Sequence, residues 1–274
     1  MTATGRLSTS SPNFQNIPIR TEDGKEIRKA IKAQSNEYQI FSADYSQVEL
    51  RVMAHLSGDE SLISALNNGE DIHTFTAKNI FNVDNDDMVL PEMRRIAKIV
   101  NFGIMYGAGP FRLSQELDIP FGEAKQIKDA YFQKYQGIEQ YIENSKLQIK
   151  ETKSVETLLG RKRAVWDSDS QNKIRRDAAE RMAINMPIQG TAAEMIKLAM
   201  IKIHRQMNKE NLKSKLIMQI HDELLLEVHQ DEIDYISKMV IEHMRNAMKL
   251  DVPIEIDFGI GPVSYTHLRA HETI

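Results

Sequence analysis

The segment from Pro91 to Gly109 is the sequence feature that most restricts what this chain can fold into. Pro91 suits the first turn of a helix, because its missing N–H costs nothing there, and Gly107 and Gly109 suit the end. Between them, four side chains recur at every fourth position: Arg94, Lys98, Phe102 and Tyr106. Each step of four residues overshoots a full helical turn by only about 40°, so the four lie along one slowly rotating side.

The order of residue types on that side is informative, because two cations are followed by two aromatic rings. Cations can bind phosphate oxygens, and aromatic rings can stack on a base. The pattern therefore predicts a helix that holds a nucleoside triphosphate lengthwise. A helix whose basic side faces solvent and whose aromatic side packs in the core would show the same residue types. Gly103 counts against that alternative, because a mid-helix glycine costs about 1 kcal/mol and is easier to explain if something approaches the backbone closely.

The composition indicates an ordinary soluble globular protein. The chain has 274 residues, of which 41% are hydrophobic and 27% charged, enough for one large domain or one domain with a big insertion. No apolar run reaches the roughly 18 residues of a membrane span. The absence of cysteine excludes disulfides and thiolate metal sites and fits a reducing compartment. We therefore expect a cytoplasmic, monomeric protein.

The charges are unevenly distributed along the chain. The net charge is −4, whereas a protein that only coats nucleic acid would usually be basic. Between Arg161 and Arg176, however, six Lys or Arg face two Asp. Local cationic patches on a protein of net negative charge are typical of a protein that binds phosphate in one cleft. An ordinary surface with mixed charges would show the same pattern.

The first segment, Thr2 to Arg20, is polar and interrupted by Gly and Pro, so it is predicted to be extended loop and turn. It carries hydrogen-bonding side chains suited to phosphate, sugar or base-edge contacts: Arg6, Asn13, Gln15 and Arg20. An exposed linker would have the same composition.

The middle of the chain alternates between short strands and long helical stretches. A strand from Tyr38 to Ala43 is predicted to end at Asp44, which either caps the next helix or holds a functional carboxylate. His73 has no second histidine at metal-ligand spacing, so we expect it to be packed or at the surface. A helix is predicted at 47–56, and residues 59–136 are predicted to be mostly helical, with the last helix of that region running from Gly122 to Gly137. Further helices are predicted at 138–151 and 171–184, with a hairpin at 154–166 between them. An interruption at Asn185–Pro187 is predicted to precede a helix from Gly190 to about Met207.

Two apolar runs near the end, Leu216–Ile220 and Leu224–Val228, predict a tight hairpin with an acidic tip at His221-Asp222-Glu223. A helix at 231–250 and a strand at 254–258 follow. If the strand that ends at Asp44 neighbours this hairpin, two carboxylates meet. Magnesium relieves the repulsion between such groups, and two ions can activate an attacking 3′-oxygen and stabilise a leaving pyrophosphate.

Several motifs resemble, in order, the polymerase domain of family A DNA polymerases of the bacterial DNA polymerase I type. The motifs are TATGRLS at 2–8, PNFQNIP at 12–18, DYSQVELR at 44–51, RRIAKIVNFGIMYG at 94–107, the GRKR turn at 160–163, AERMAINMPIQGTAAE at 179–194 and QIHDE at 219–223. The resemblance runs from about Thr2 to Gly261.

The resemblance implies an α+β fold in which an antiparallel palm sheet with helices carries a mostly helical fingers insertion, as in right-hand polymerases. We expect the palm at 1–57 and 171–261, the fingers at 58–170, and a foreign or disordered tail at 262–274. The family's thumb and nuclease domain precede the TATGR motif, so we expect the thumb to be absent here, which would weaken the grip on duplex DNA.

The resemblance also implies roles for individual residues. Asp44 and Asp222, with the backbone carbonyl of Tyr45, would bind two Mg²⁺ ions, and Glu223 would assist less directly. Around the incoming nucleotide, the implied residues are Arg94, Lys98, His73, Phe102, Tyr106, Glu49 and Gln47, with Lys98 also catalytic and Glu49 excluding a ribose 2′-OH. The implied contacts to primer–template DNA are Arg6, Asn13, Gln15, Arg20, Asn185, Gln189 and His221.

The function expected from this resemblance is template-directed addition of deoxynucleotides to a primer 3′-OH, with release of pyrophosphate, in DNA replication or repair. A single-subunit RNA polymerase is a related alternative, against which Glu49 and the TATGRLS motif argue. A protein that binds DNA or nucleotide without catalysis is a further alternative, because we expect the thumb to be absent. Comparing ribonucleotide with deoxynucleotide incorporation tests the first alternative, and primer extension at low salt with Mg²⁺ tests the second.

Overall fold

The computed structural model describes residues 2, 4–11, 26–27 and 29–263. In chain order, its strands and α-helices are β1 (Tyr38–Tyr45), α1 (Val48–Ser57), α2 (Glu60–Asn67), α3 (Ile72–Phe81), α4 (Pro91–Met105), α5 (Pro110–Leu117), α6 (Phe121–Lys134), α7 (Gln136–Thr152), β2 (Ser154–Glu156), β3 (Lys162–Ala164), α8 (Lys173–Lys209), β4 (Lys215–Ile220), β5 (Glu223–His229), α9 (Ile233–Arg245) and β6 (Ile256–Gly261). The predicted α+β class, with antiparallel sheets, is confirmed.

The chain divides into two compact units. One contains Ala192–Lys249 and the described parts of Met1–Val48 and Ile254–Ile274, and the other contains Glu49–Thr191 and Leu250–Pro253. The functional division into palm and fingers at the boundaries expected above stays a prediction.

The first unit is built on a four-stranded sheet in the order β4-β5-β1-β6, with each neighbouring pair antiparallel. In the central strand β5, Leu224, Leu225 and Leu226 are fully buried, and α9 packs against β5 and β1. The Tyr45 hydroxyl donates to the Met244 carbonyl of α9 at 2.9 Å, which ties the end of β1 to that helix. The end of β1 is therefore rigidly placed.

The second unit is mostly helical. Helix α3 packs against α4 and α6, and α5 packs against both α4 and α6. A separate core joins α7 and the β2–β3 hairpin to the first half of α8, and it consists of Ile149, Val155, Val165, Ala179, Ala183 and Met186. None of the helices in the described part of the chain combines the length and the apolar character needed to span a bilayer.

The predicted interruption at Asn185–Pro187 was wrong, because α8 runs without a break through Pro187. A proline inside a helix removes one hydrogen bond and usually costs about 3 kcal/mol or more. Here the neighbours on both sides, Met186 and Ile188, are each only 1% exposed. Burial of both neighbouring side chains offsets the lost hydrogen bond, so packing overrides the local preference.

Gly137 was predicted to end a helix but lies in the first turn of α7. Its N–H donates to the Asp59 carboxylate at 2.8 Å, and the other oxygen of that carboxylate caps α2 by accepting from the Leu62 N–H at 2.9 Å. A Cβ at position 137 would lie 2.7 Å from the Asp59 Cα. Glycine is therefore required by the close approach of two backbones rather than by a helix end.

The final helix and strand also differ from the prediction, because α9 ends at Arg245 and β6 covers Ile256–Gly261. The predicted tail at 262–274 is described only at its first two residues. Val263 forms a bridge with Lys32, and the Ala33 N–H donates to the Pro262 carbonyl at 3.3 Å. The rest of that tail lies outside the described residues.

We expect Gly137→Ala to destabilise the chain by about 1–3 kcal/mol, because the new methyl group overlaps the Asp59 backbone and must displace α7 or α2. The urea-unfolding midpoint measures this loss. Gly122→Ala is the matched control, because a Cβ there would meet nothing within 4 Å. Equal midpoints for the two variants would contradict the account of the Asp59 contact.

Candidate active site

The end of β1 and the β4–β5 hairpin lie side by side in the sheet. Asp44 pairs with Glu223, and the Tyr45 N–H donates to the Asp222 carbonyl at 3.2 Å. The two-residue loop between the paired Ile220 and Glu223 is His221-Asp222, and His221 takes a left-handed φ of 51°. The structure therefore brings together the backbones of all four residues predicted to bind or assist at the metal: Asp44, Tyr45, Asp222 and Glu223.

Directly opposed residues in an antiparallel pair share one face of the sheet, so Asp44 and Glu223 are like charges on the same face. The Ser42 hydroxyl donates to Glu223 Oε1 at 2.5 Å in a buried contact, which stabilises one of the two carboxylates. Glu223 is buried, whereas Asp44 is half-buried. This pairing is unfavourable unless a cation lies nearby.

Asp222 is in an environment that disfavours its charged form. Burial raises the pKa of its carboxyl above the ordinary value, and the charge of Arg6 only partly offsets this effect. Burial also raises the pKa of the neighbouring Tyr45 hydroxyl, and the Asp222 carboxylate raises it further. A bound cation would favour the ionised form of Asp222.

Two residues near these carboxylates were missed by the sequence reasoning. Asp257 of β6 pairs with Asp44 on the side opposite Glu223, so three acidic residues are aligned across β5, β1 and β6. Ser42 lies two positions before Asp44 and faces the same way. The polar position of Asp257 within an apolar strand was a usable signal, but its partner depends on strand order.

The donor atoms at this end of the sheet fit magnesium. The Asp44 and Asp222 carboxylates and the Tyr45 carbonyl offer oxygen donors, and Mg²⁺ commonly uses one or two carboxylates together with water and substrate phosphates. Within residues 2, 4–11, 26–27 and 29–263, no group of three or more His, Asp or Glu side chains encloses a metal position. An ion held here would therefore take its remaining ligands from water and substrate.

The predicted nucleotide-binding residues of α3 and α4 form a second group, within the other unit. Arg94 donates to the Asp71 carboxylate at 2.6 Å, and that carboxylate also caps α3 through the Thr74 N–H. Phe102 and Tyr106 have nearly parallel rings with centroids 6.4 Å apart, and Tyr106 is the residue directly after α4. Lys98 lies between these pairs and is half-buried. The predicted order along the helix is therefore present.

The group that approaches the backbone closely at Gly103 is a side chain of this protein rather than a ligand. A Cβ at that position would lie 3.0 Å from Cδ2 of Leu113, a fully buried residue of α5. The glycine thus explains how α5 packs on α4 and gives no support for a ligand at that point.

His73 is buried and adjoins this group, with its ring centroid 5.8 Å from that of Phe102. Burial lowers its pKa from 6.5 to about 4; Asp71 raises the pKa in part, and the charges of Arg94 and Lys98 lower it. Its Nδ1 lies 3.1 Å from Asn101 Nδ2, and its Nε2 is buried without a hydrogen-bond partner among the described residues.

We expect the low pKa of His73 to make the fold less stable in mild acid. The unfolded chain binds the proton near pH 6.5 and the folded chain only near pH 4, so stability falls as the pH drops through that window. The loss between pH 7 and pH 5 should be about 2 kcal/mol in urea unfolding. His73→Gln should flatten this dependence, and an unchanged slope in the variant would contradict the assignment.

Glu49, predicted to exclude ribonucleotides, is buried and accepts a hydrogen bond from the Tyr106 hydroxyl. This contact places a carboxylate beside the ring predicted to flank the nucleotide. Gln47, the other predicted contact, is half-buried and takes a left-handed φ of 50° in the turn before α1.

The residues predicted to contact DNA are spread over the chain. Arg6 is half-buried and close enough to act on the Asp222 charge, and His221 is exposed in the β4–β5 loop. In the other unit, Asn185 Nδ2 lies 3.5 Å from the Tyr106 carbonyl, and its Oδ1 is buried without a partner among the described residues. Gln189 is half-buried one turn further along α8. Asn13, Gln15 and Arg20 lie outside the described residues.

A cavity of about 280 Å³ lies elsewhere in the second unit, beyond the end of α4. Gly107, Lys128, Glu143 and Arg181 are among its lining residues, and none of the predicted nucleotide-binding side chains lines it. The shape of this cavity therefore gives no independent support for the predicted nucleotide site.

Comparison with known proteins identifies the family of this chain. The family model described as DNA polymerase family A matches residues 1–266. Because the match covers nearly the whole chain, the chain belongs to DNA polymerase family A.

Individual relatives are similar over most of this chain. It is 47% identical over 265 residues to DNA polymerase I of Bacillus subtilis, covering 97% of this chain and 30% of the relative. It is 49% identical over 260 residues to the thermostable DNA polymerase I of Thermus filiformis, covering 95% and 31% respectively. The chain thus spans about a third of the length of these relatives.

A solved structure is similar in fold as well as in sequence. It is the POL domain of Pol1 from M. smegmatis, in complex with DNA primer-template and dNTP. The TM-score is 0.92 at 45% sequence identity, and the match covers 96% of this chain and 46% of that chain.

Proposed function

We propose that this chain is a template-directed DNA polymerase fragment that adds deoxynucleotides to a primer 3′-OH. In this reaction the 3′-oxygen forms a bond to the α-phosphorus, the bond to the β-phosphate oxygen breaks, and pyrophosphate leaves. The observation that carries the proposal is the pairing of β1 with β5, which sets Asp44 opposite Glu223 and links Tyr45 to Asp222.

The acidic end of the sheet is the proposed metal site. Asp44, Asp222 and the Tyr45 carbonyl would hold two Mg²⁺ ions, which when bound would activate the attacking oxygen and stabilise charge on the pyrophosphate. Glu223 would act less directly, because Ser42 holds its carboxylate in a buried hydrogen bond.

The face of α4 is the proposed nucleotide site. Arg94 and Lys98 would neutralise the triphosphate, aided by His73, and Lys98 would stabilise charge on the leaving group. Phe102 and Tyr106 would flank the sugar and base, and Gln47 would be a further contact to the nucleotide. The parallel rings of Phe102 and Tyr106 support this assignment, because such a pair presents a flat apolar side.

Primer–template DNA is the proposed partner. The contacts would come from Arg6, Asn13, Gln15, Arg20, Asn185, Gln189 and His221. We propose that the chain acts as a cytoplasmic monomer in replication or repair. Sequence similarity to DNA polymerase I proteins and structural similarity to the solved M. smegmatis complex support this set of partners.

Primer extension by the 274-residue chain tests the proposal directly. The assay contains a labelled primer on a longer template, Mg²⁺ and the four deoxynucleotides at low salt, because phosphate contacts weaken steeply as salt rises. Templated extension that stops when Mg²⁺ is chelated supports the proposal. Binding of primer–template without extension would favour the non-catalytic alternative.

We expect Glu49→Ala to relax sugar selectivity. Removing the buried carboxylate opens space beside Tyr106, into which a ribose 2′-OH could then fit. Ribonucleotide incorporation relative to deoxynucleotide incorporation should rise roughly 10- to 100-fold, the scale expected for one desolvated polar mismatch. The ratio of kcat/KM values measures this change. Tyr106→Phe, which removes the hydroxyl and leaves the carboxylate, should change the ratio less, and the reverse order would refute the role of Glu49.

A further inference from the structure

Trp166 is the only tryptophan in the sequence, and it is 75% exposed. It is the first residue of a short 3₁₀ helix, Trp166–Asp169, which lies between β3 and α8 in the chain. Single apolar side chains at a protein surface are common and by themselves indicate no partner. The residues around Trp166 therefore decide whether this side chain has a binding role.

The backbone that carries Trp166 is held in place on both sides. The preceding residue, Val165, is 2% exposed in the core that joins α7 to α8, and its N–H donates to the Lys153 carbonyl at 2.7 Å. Two positions after Trp166, the buried Ser168 hydroxyl donates to the Ile149 carbonyl of α7 at 3.0 Å. The indole is therefore exposed on a segment that is fixed to the second unit.

The strand before Trp166 shows which residues share its exposed side. Side chains alternate along β3, and the alternation continues because Val165 is close to extended, with a φ of −133°. Lys162, Ala164 and Trp166 are accordingly exposed, whereas Arg163 is half-buried and Val165 is buried. A cation and an indole thus flank a small residue on one exposed side, about 13 Å apart at the usual rise of a strand.

The segments on both sides of the 3₁₀ helix carry an excess of positive charge. Residues 153–176 contain seven Lys or Arg and three Asp or Glu, in a chain whose net charge is −4. The Arg176 guanidinium donates to the Ser170 carbonyl at 2.9 Å, which holds the start of α8 against the end of the 3₁₀ helix. Within the described part of the chain, Arg163 and Arg175 form no ion pair. Positive charge therefore remains available beside Trp166.

This combination fits one strand of a nucleic acid. An unpaired base can stack on an aromatic face with little dependence on sequence, because every base has a π-face. The cations would attract the phosphates of the same strand. Lys162 lies 3.9 Å from Glu156 at the surface, a weak ion pair that a phosphate can replace. Bases inside a duplex are already stacked on each other, and an acidic peptide would bind the cations without giving the indole a planar partner.

We propose that Trp166 is a stacking site for an unpaired base of single-stranded DNA, whose phosphates are attracted by the cations of residues 153–176. The naming of DNA rests on the proposed function, in which the unpaired strand is the template beyond the primer. The site is additional to the DNA contacts proposed above, none of which is Trp, Tyr or Phe. It needs neither nucleotide nor metal, so it can be tested without polymerisation.

Intrinsic fluorescence tests the contact directly, because all tryptophan emission of the chain comes from Trp166. The unaltered chain is titrated with a fluorescently labelled oligothymidine strand at low salt, without Mg²⁺ or nucleotide, and binding is measured by the anisotropy of the label. We expect bound strand to quench the emission and to shield the indole from acrylamide. Binding with unchanged emission and unchanged acrylamide access would overturn the proposal. Equal quenching by a long blunt duplex, at equal nucleotide concentration, would overturn the requirement for an unpaired base.

Trp166→Ala is expected to weaken binding of the single strand about tenfold, the scale of stacking one base on an aromatic ring. Trp166→Phe keeps a smaller ring and should recover part of this loss. Ile174→Ala is the matched control, because Ile174 is a 78% exposed apolar residue between Lys173 and Arg175. Its affinity should stay within twofold of the unaltered chain. A loss equal to that of Trp166→Ala would indicate a general apolar contact and overturn stacking.

Arg175→Gln tests the electrostatic part separately. If Arg175 neutralises one phosphate, the slope of log affinity against log salt should decrease in magnitude by about 0.7, whereas Trp166→Ala should leave the slope unchanged. An unchanged slope in Arg175→Gln would overturn the role of this cation. Primer extension without any change at Trp166 would leave the proposed function standing and overturn this contact. Quenching and shielding of Trp166 without primer extension would support the contact and count against the proposed function.

Discussion

Asp222→Asn and Asp44→Asn are each expected to reduce primer extension by roughly a thousandfold, the scale of the several kcal/mol that a catalytic metal contributes. Both substitutions keep the size of the side chain and remove a charged oxygen ligand. Because burial already disfavours the Asp222 carboxylate, its replacement should leave the fold at least as stable. Single-turnover extension rates and urea-unfolding midpoints measure the two effects separately.

The control for these variants is Asp234→Asn, an exposed carboxylate in the first turn of α9 in the same unit. It makes the same chemical change, and we expect extension to stay within twofold of the unaltered chain. Extension by Asp44→Asn and Asp222→Asn at the rate of Asp234→Asn would show that the paired strand ends do not hold the catalytic metal.

Lys98→Ala is expected to lower kcat/KM for deoxynucleotide incorporation roughly 100- to 1,000-fold. Lysine acts as a compact positive charge, and its loss removes a preorganised contact to the triphosphate where negative charge develops. The half-buried position between Arg94 and Phe102 means that solvent cannot fully replace it. Steady-state extension of a single nucleotide, at varied deoxynucleotide concentration, measures the loss.

Lys125→Ala serves as the matched control, because Lys125 is an exposed lysine of α6 that pairs with Asp129 at 2.9 Å. This variant changes the net charge by the same amount, so a general electrostatic effect would appear in both. An equal loss in the two variants would contradict a specific role for Lys98.

Most elements of the fold were predictable because their signals are local. The capping carboxylates of Asp59 and Asp71 marked two helix starts, and two apolar runs separated by a polar tip marked the β4–β5 hairpin. The errors came from tertiary contacts. Pro187 lies inside a helix because the core around Met186 and Ile188 holds it there, and Gly137 begins a helix because Asp59 reaches its backbone. Neither contact has a local signature.

The candidate site was predictable in part. The adjacency of the strand ending at Asp44 and the hairpin carrying Asp222 was a hypothesis from the sequence, and the sheet shows it. The alignment of Asp257 beside Asp44 required the strand order. The buried side-chain contacts of Thr76 with Tyr135 and of Asn101 with His73 could not be predicted. They join residues up to 62 positions apart on three elements, and no motif encodes them.

The contact between Gly103 and Leu113 has a mechanical consequence. With a hydrogen in place of a side chain, α4 and α5 touch so closely that bending α4 at this point would force Leu113 out of a fully buried position. The cations and aromatic rings along α4 therefore lie on a rigid pair of packed helices. Any displacement of Arg94 should be accompanied by displacement of Phe102 and Tyr106 as one body, with their mutual spacing preserved.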